Sequence, residues 1–142
     1  MRTTLLAALA VGAMLTAGAT FAEVIHFTAK LDGASETPPR ETKGAGTAQV
    51  TLDTTTRVLS WTVDYSGLTG AATMAHFHGP AGPGKAAAVT VPLTGDLANP
   101  IKGSAAITDG QIGDLRGGLW YINIHTAKYP PGEIRGQVLE AK

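Results

Sequence analysis

The feature that most constrains this chain is a two-residue hydrophobic alternation, recurring in short runs that are broken by turn residues roughly every ten positions. Ile25, Phe27, Ala29 and Leu31 alternate with His26, Thr28, Lys30 and Asp32. A strand sends successive side chains to opposite faces, so such a run has one buried face and one wet face. Ala48, Val50 and Leu52 repeat the pattern, as do Leu59, Trp61, Val63 and Tyr65, with Asp53 to Arg57 reading as the hairpin loop between them. Residues 73–78, 87–93, 102–107, 119–126 and 133–139 complete about eight strands. One stretch departs from the pattern. At 108–115 a capping threonine, Thr108, precedes apolar Ile112 and Leu115, which predicts a single helical turn before Gly117 and Gly118. The expected class is therefore all-β: an antiparallel Greek-key β-sandwich or flattened barrel of about eight strands with one short helical turn.

The ends of the chain refine this. Met1 to Thr4 carry one positive charge, an apolar run extends from Leu5 to Leu15, and small residues lead to Thr20, Phe21 and Ala22. That is the pattern of an export signal cleaved after Ala22, and the apolar run is short of the roughly 20 residues a bilayer span needs. The expected division is a signal peptide at 1–22 and one β domain at 23–142, with a periplasmic or secreted destination and no membrane span after cleavage. The chain has 142 residues, no Cys, and 11 basic against 11 acidic side chains. Without Cys there is no disulfide, thiolate metal site or cysteine nucleophile, and stability must come from a packed core. Balanced charge argues against a nucleic-acid partner, which calls for a basic stripe. A phosphate-cradling loop is not present, since Gly82-Pro83-Gly84-Lys85 lacks the spacing and the hydroxyl residue after Lys; nor is a Gly-x-Ser-x-Gly elbow.

The chemistry concentrates in the histidines. His76 and His78 are two apart, so on a strand both imidazoles share a face while Phe77 enters the core, and Met74 falls on that same face. His125 follows Tyr121 and Asn123 at the same two-residue interval, opposite to Trp120, Ile122 and Ile124. A site of His76, His78 and His125 would offer three neutral nitrogens, a set that suits copper, bound most tightly of the divalent first-row metals, or zinc. Three protein ligands leave a position for water or for a carboxylate such as Glu36 or Glu133. The competing account gives the imidazoles to backbone carbonyls or to a neighbouring carboxylate. Met74 reads more readily as packing than as a soft copper ligand. His26 reads as solvent-facing.

Two proline-stiffened segments flank these residues. Ser35-Glu36-Thr37-Pro38-Pro39 is extended and stiff, able to hold Glu36 in place. Pro130-Pro131-Gly132-Glu133-Ile134-Arg135-Gly136-Gln137 places Glu133 and Arg135 on one face, reading first as an ion pair or network. Gly136 inside this strand marks a bulge or a close backbone approach.

Four segments in order resemble the chordin-type (CHRD) domain family: 27–39, the run from Ala75 to Ala81, the run from Tyr121 to Thr126, and 130–137. The resemblance spans nearly all the chain after the leader and implies a secreted β-sandwich. It also implies that Glu36, His76, His78, Asn123, His125, Glu133 and Arg135 occupy recurring polar positions. Three functions follow as expectations. The first is an exported module binding copper, or zinc, through the three histidines, with Glu36, Met74, Asn123, Glu133 and Arg135 as accessory residues. The second is a non-catalytic module recognising a protein or envelope component, its histidines structural. The third, least favoured, is an enzyme similar in outline to copper–zinc superoxide dismutase, a likeness of fold that does not carry function.

Overall fold

The computed structural model describes residues 22–142; the expected leader, 1–22, lies outside them apart from Ala22. The described chain forms β1 (Val24–Asp32), β2 (Ala45–Asp53), β3 (Val58–Ser66), β4 (Ala72–His78), β5 (Val89–Pro92), β6 (Ile101–Ala106), α1 (Asp109–Arg116), β7 (Trp120–Thr126) and β8 (Ile134–Glu140). The strands make one antiparallel sheet in the order β5-β4-β7-β8-β1-β2-β3-β6. Its strands β1, β2 and β3 form a meander, while the β3–β4 and β5–β6 connections cross between the two halves. No helix among the described residues is long and apolar enough to cross a membrane.

The sheet curls on itself, so the flattened-barrel alternative describes it best. Trp61 on β3 and Phe77 on β4 stand near opposite edges of the strand order, yet their rings meet edge-on at 5.4 Å, and Trp120 packs against Phe77 from β7. The inward sets are those the alternation predicts: Ile25, Phe27, Ala29 and Leu31; Ala48, Val50 and Leu52; Leu59, Trp61 and Val63. Tyr65, expected inside, is half-buried and extends its hydroxyl to the Leu97 carbonyl at 2.6 Å. The 53–57 hairpin is present, with Asp53 Oδ1 accepting from the Thr55 and Thr56 amides.

The helix is two turns rather than one. Thr108 caps it through the Gln111 amide, and the Gln111 side chain accepts in return from the Thr108 amide, so two otherwise orphaned donors are satisfied. Asp109 in the first turn and Arg116 in the last suit the helix dipole. Leu115 is its anchor in the core.

The half-sheet that carries the histidines has two buried faces. Along β7 every residue is buried: Trp120, Ile122 and Ile124 face the apolar core, and Tyr121, Asn123 and His125 face the other way. On that second face β4 adds His76 and His78, and β8 adds Arg135 and Gln137. Segments 33–42, 79–88 and 126–133 supply its hydrogen-bond partners. They have folded over what a bare alternation reads as the solvent side.

Candidate metal centre

Strand pairing sets the three imidazoles side by side. On β4 and β7, His76 is opposite Asn123, His78 opposite Tyr121, and Met74 opposite His125. One ligand nitrogen from each of His76, His78 and His125 lies within 4.8 Å of the others. The tightest pair is His76 Nδ1 and His125 Nε2, at 3.1 Å. Nitrogens bound to one tetrahedral ion at 2.0–2.1 Å stand about 3.4 Å apart. His76 and His125 are already near that spacing, and His78 needs to close by no more than about 1.4 Å.

The second nitrogen of two rings is anchored. His125 Nδ1 lies 2.7 Å from the Pro130 carbonyl, and His78 Nδ1 lies 3.0 Å from the Ala87 carbonyl. A carbonyl only accepts, so each Nδ1 carries the proton and each Nε2 is left with its lone pair. Fixing the tautomer this way is how metal-ligating imidazoles are generally oriented. Tyr121 reinforces it: its ring stacks on His78 at 4.7 Å with planes 3° apart, and the Arg135 guanidinium covers Tyr121 at 3.5 Å. Arg135 is pinned by the Lys85 carbonyl at 2.7 Å and by Thr37 Oγ1 at 3.2 Å.

Burial lowers the pKa of His76, with the neighbouring His125 and His78 acting in the same direction. Burial also lowers His125, with His78 adding to it and the Pro130 carbonyl opposing. Both rings therefore take up a proton less readily than a free imidazole, which favours the neutral form that a metal ligand needs. A depressed folded-state pKa means the unfolded chain takes up these protons first. The stability tied to the two neutral rings is fully present above pH 6.5 and is lost as pH falls through their lower folded values. A melting series on metal-free protein is expected to show Tm falling below pH 6.5, with a flatter acid limb in a His76→Gln, His125→Gln double variant.

The accessory residues divide. Asn123 is buried, with Oδ1 2.9 Å from His78 Nε2 and Nδ2 3.4 Å from the Pro131 carbonyl. Glu36 is 6% exposed, and its Oε1 has no hydrogen-bond partner. Burial raises its pKa, opposed by the Thr37 amide, Arg135, Asn123 and Arg40. Glu133 does not pair with Arg135. It is fully buried, and its carboxylate is enclosed by the hydroxyls of Thr42, Thr69 and Thr126 and the Thr69 amide. Two salt bridges are found among the described residues, Arg57–Asp109 and Arg116–Glu140, both at the surface. Met74 shares the histidine face at its rim and is 47% exposed. His26 is exposed on β1. Sequence reasoning misses the roles of Thr42 and Thr69, which lie in irregular segments with no periodic signal. The stacking role of Tyr121 is open to the face parity that groups it with His125.

The fold and this face define an all-β protein with three buried or half-buried imidazoles converging outside its apolar core. Residues 27–138 match the family model for the CHRD domain, and the chain belongs to that family. Comparison with curated proteins and with solved structures gave no match.

Proposed function

We propose that this CHRD-domain protein is an exported metal-binding module, periplasmic or secreted, whose ion is held by His76, His78 and His125. The observation that carries the reading is the convergence of three imidazole nitrogens within 4.8 Å on one face. Two features beyond convergence support it: the Nδ1 atoms of His78 and His125 face main-chain carbonyls that hold their protons, and burial lowers the pKa of His76 and His125. Packing alone does not require three imidazoles at one place. Copper is favoured over zinc because imidazole donors bind Cu²⁺ most tightly among the divalent first-row ions. Export rests on the leader pattern at 1–22, and a single β domain at 23–142 is the unit that would reach the outside.

Calorimetric titration of the purified protein with Cu²⁺ and with Zn²⁺ tests the reading. One equivalent is expected to bind, copper more tightly, and a His76→Ala, His78→Ala, His125→Ala variant is expected to bind neither above background. Equal heats from the folded triple variant would end the proposal. The loop-pinning bonds of His78 and His125 would then be their whole role, which is the recognition-module reading.

A further inference from the structure

We infer that Asn123 supplies a fourth ligand, its side-chain oxygen, and that Glu36 is the positioning residue that turns this oxygen toward the ion. This rests on the three-histidine reading above and goes one step into its chemistry.

The argument is a count of donors and acceptors. Asn123 Nδ2 has the Pro131 carbonyl at 3.4 Å. It also lies beside Glu36 Oε1: both atoms would stand closer than 3.0 Å to a Cβ placed on Gly132. Carbonyl and carboxylate oxygens accept and an amide nitrogen donates, so these two neighbours fix which way the amide faces. Its Oδ1 is thereby turned to His78 Nε2, 2.9 Å away. His78 Nδ1 has its proton on the Ala87 carbonyl. In the neutral ring, Nε2 then presents a lone pair to an oxygen that can also only accept. Two acceptors at that distance repel unless a positive charge joins them, and a divalent ion bound to both supplies it.

The second pair is closed in this structure by an ordinary hydrogen bond, since no second partner fixes the His76 proton and its Nδ1 can donate to His125; an ion would replace that proton. His125 Nε2 bears a lone pair because Nδ1 is committed to Pro130, and it faces His76 Nδ1 at 3.1 Å. Two pairs of donors, each spaced like adjacent ligands of one ion, thus lie next to each other on β4 and β7. Glu36 is placed to act as metal-site carboxylates commonly do, on a ligand rather than on the ion: its Oε1 makes no hydrogen bond in this structure and stands beside Asn123 Nδ2. It is nine-tenths buried, its Oε1 is unpartnered, and the stiff 35–39 segment holds it there. Gly132, with φ of 134°, leaves room for the approach that any side chain would block.

Three imidazoles and an amide oxygen form a borderline-to-hard set that suits Cu²⁺ or Zn²⁺ over Cu⁺. Four protein ligands make a closed centre, suited to holding an ion rather than to opening a position for substrate.

The test is competition against a chromogenic chelator with Zn²⁺ and Cu²⁺, on the whole protein and on Asn123→Leu, Asn123→Asp and Glu36→Gln. The Leu variant is expected to lose roughly tenfold or more in affinity and the Gln variant about tenfold, while Asp keeps or improves it. Co²⁺-loaded protein should give the intense visible bands of four-coordination in the parent and in Asn123→Asp, and an altered spectrum in Asn123→Leu. If Asn123→Leu does not fold, Glu36→Gln and Asn123→Asp decide. Parent-like affinity in folded Asn123→Leu and Glu36→Gln, with binding still lost in the triple-histidine variant, overturns the fourth ligand alone. Failure of the parent to bind either metal overturns the three-histidine reading and this inference with it.

Discussion

Glu133→Ala is expected to lower stability by about 4 kcal/mol, a fall in Tm on the order of 15 °C for a chain of this size. Glu133 is fully buried and takes part in neither of the salt bridges found among the described residues. Its two oxygens accept from Thr42 Oγ1 at 2.5 Å, Thr126 Oγ1 at 2.6 Å, Thr69 Oγ1 at 2.7 Å and the Thr69 amide at 3.0 Å. Hydrogen bonds to an ionised group contribute about 1.5–3 kcal/mol each before desolvation is subtracted. Removing the carboxylate leaves donors from three segments facing an emptied space. It also unties the loops at 42 and 69 from the end of β7. Thr42→Val removes one donor of the set and is expected to cost about 1 kcal/mol.

The sign with pH follows from the same contacts. Burial alone would raise the Glu133 carboxyl, but the donors from Thr126, Thr42 and Thr69 outweigh it and hold the group below 4.5. Its contribution is therefore present above pH 4.5 and is lost as pH falls through the folded value. Glu36 runs the other way: its pKa is raised, so its contribution is full below pH 4.5 and is lost as pH rises through its folded value. Chemical denaturation from pH 7 down to 3 should show the parent losing stability at the acid end. Glu133→Gln, already weakened, should lose less over that interval. An acid limb as steep in Glu133→Gln as in the parent would contradict the assignment.

Periodicity carries the architecture because strand burial is a local property: the eight strands, and the core-facing sets of β1, β2, β3 and β7 with Tyr65 as the exception, follow from short alternating runs between turns. The candidate site is legible to the same depth. His76 and His78 on one face of β4, and Asn123 and His125 on one face of β7, are consequences of strand geometry. Their meeting depends on β4 pairing with β7, with His76 and His125 49 positions apart in the chain, and no local rule gives that register. Burial of the second face is likewise non-local. Tyr121, Asn123 and His125 look like a wet face until the 79–88 and 126–133 segments are seen to close over them. The Glu133–Arg135 ion pair fails for a related reason. Shared parity puts the two side chains on one side of the strand, but each finds nearer partners, hydroxyls for Glu133 and carbonyls with an aromatic ring for Arg135. The helix exceeds its expected length by one turn because apolar spacing marks only the anchored face. The Thr108–Gln111 capping box and the dipole-matched ends extend the segment beyond it.

Gly136 is the position where the sequence asks for close backbone approach, and Gly136→Ala is expected to cost about 3 kcal/mol or more. A Cβ there would run into the Lys30 carbonyl oxygen and lie 2.7 Å from the carbonyl carbon and 3.1 Å from the Leu31 amide. These are main-chain atoms of β1, so no rotamer change relieves the clash. β8 must lift from β1, and β8 is the seam between the histidine-bearing half of the sheet and the β1-β2-β3-β6 half. The neighbouring Arg135 would shift with it, loosening the Tyr121 ring that stacks on His78. Gly113 supplies the control. It lies inside α1 with open space for 4 Å around the point a Cβ would occupy, so Gly113→Ala is expected to add about 0.4–1 kcal/mol by helix propensity and reduced unfolded-state freedom. Urea unfolding of the two single variants beside the parent separates local backbone crowding from a general intolerance of lost glycine. Midpoints moving in opposite directions support the seam, whereas a Gly136→Ala midpoint within error of the parent would show that β8 can yield without leaving β1.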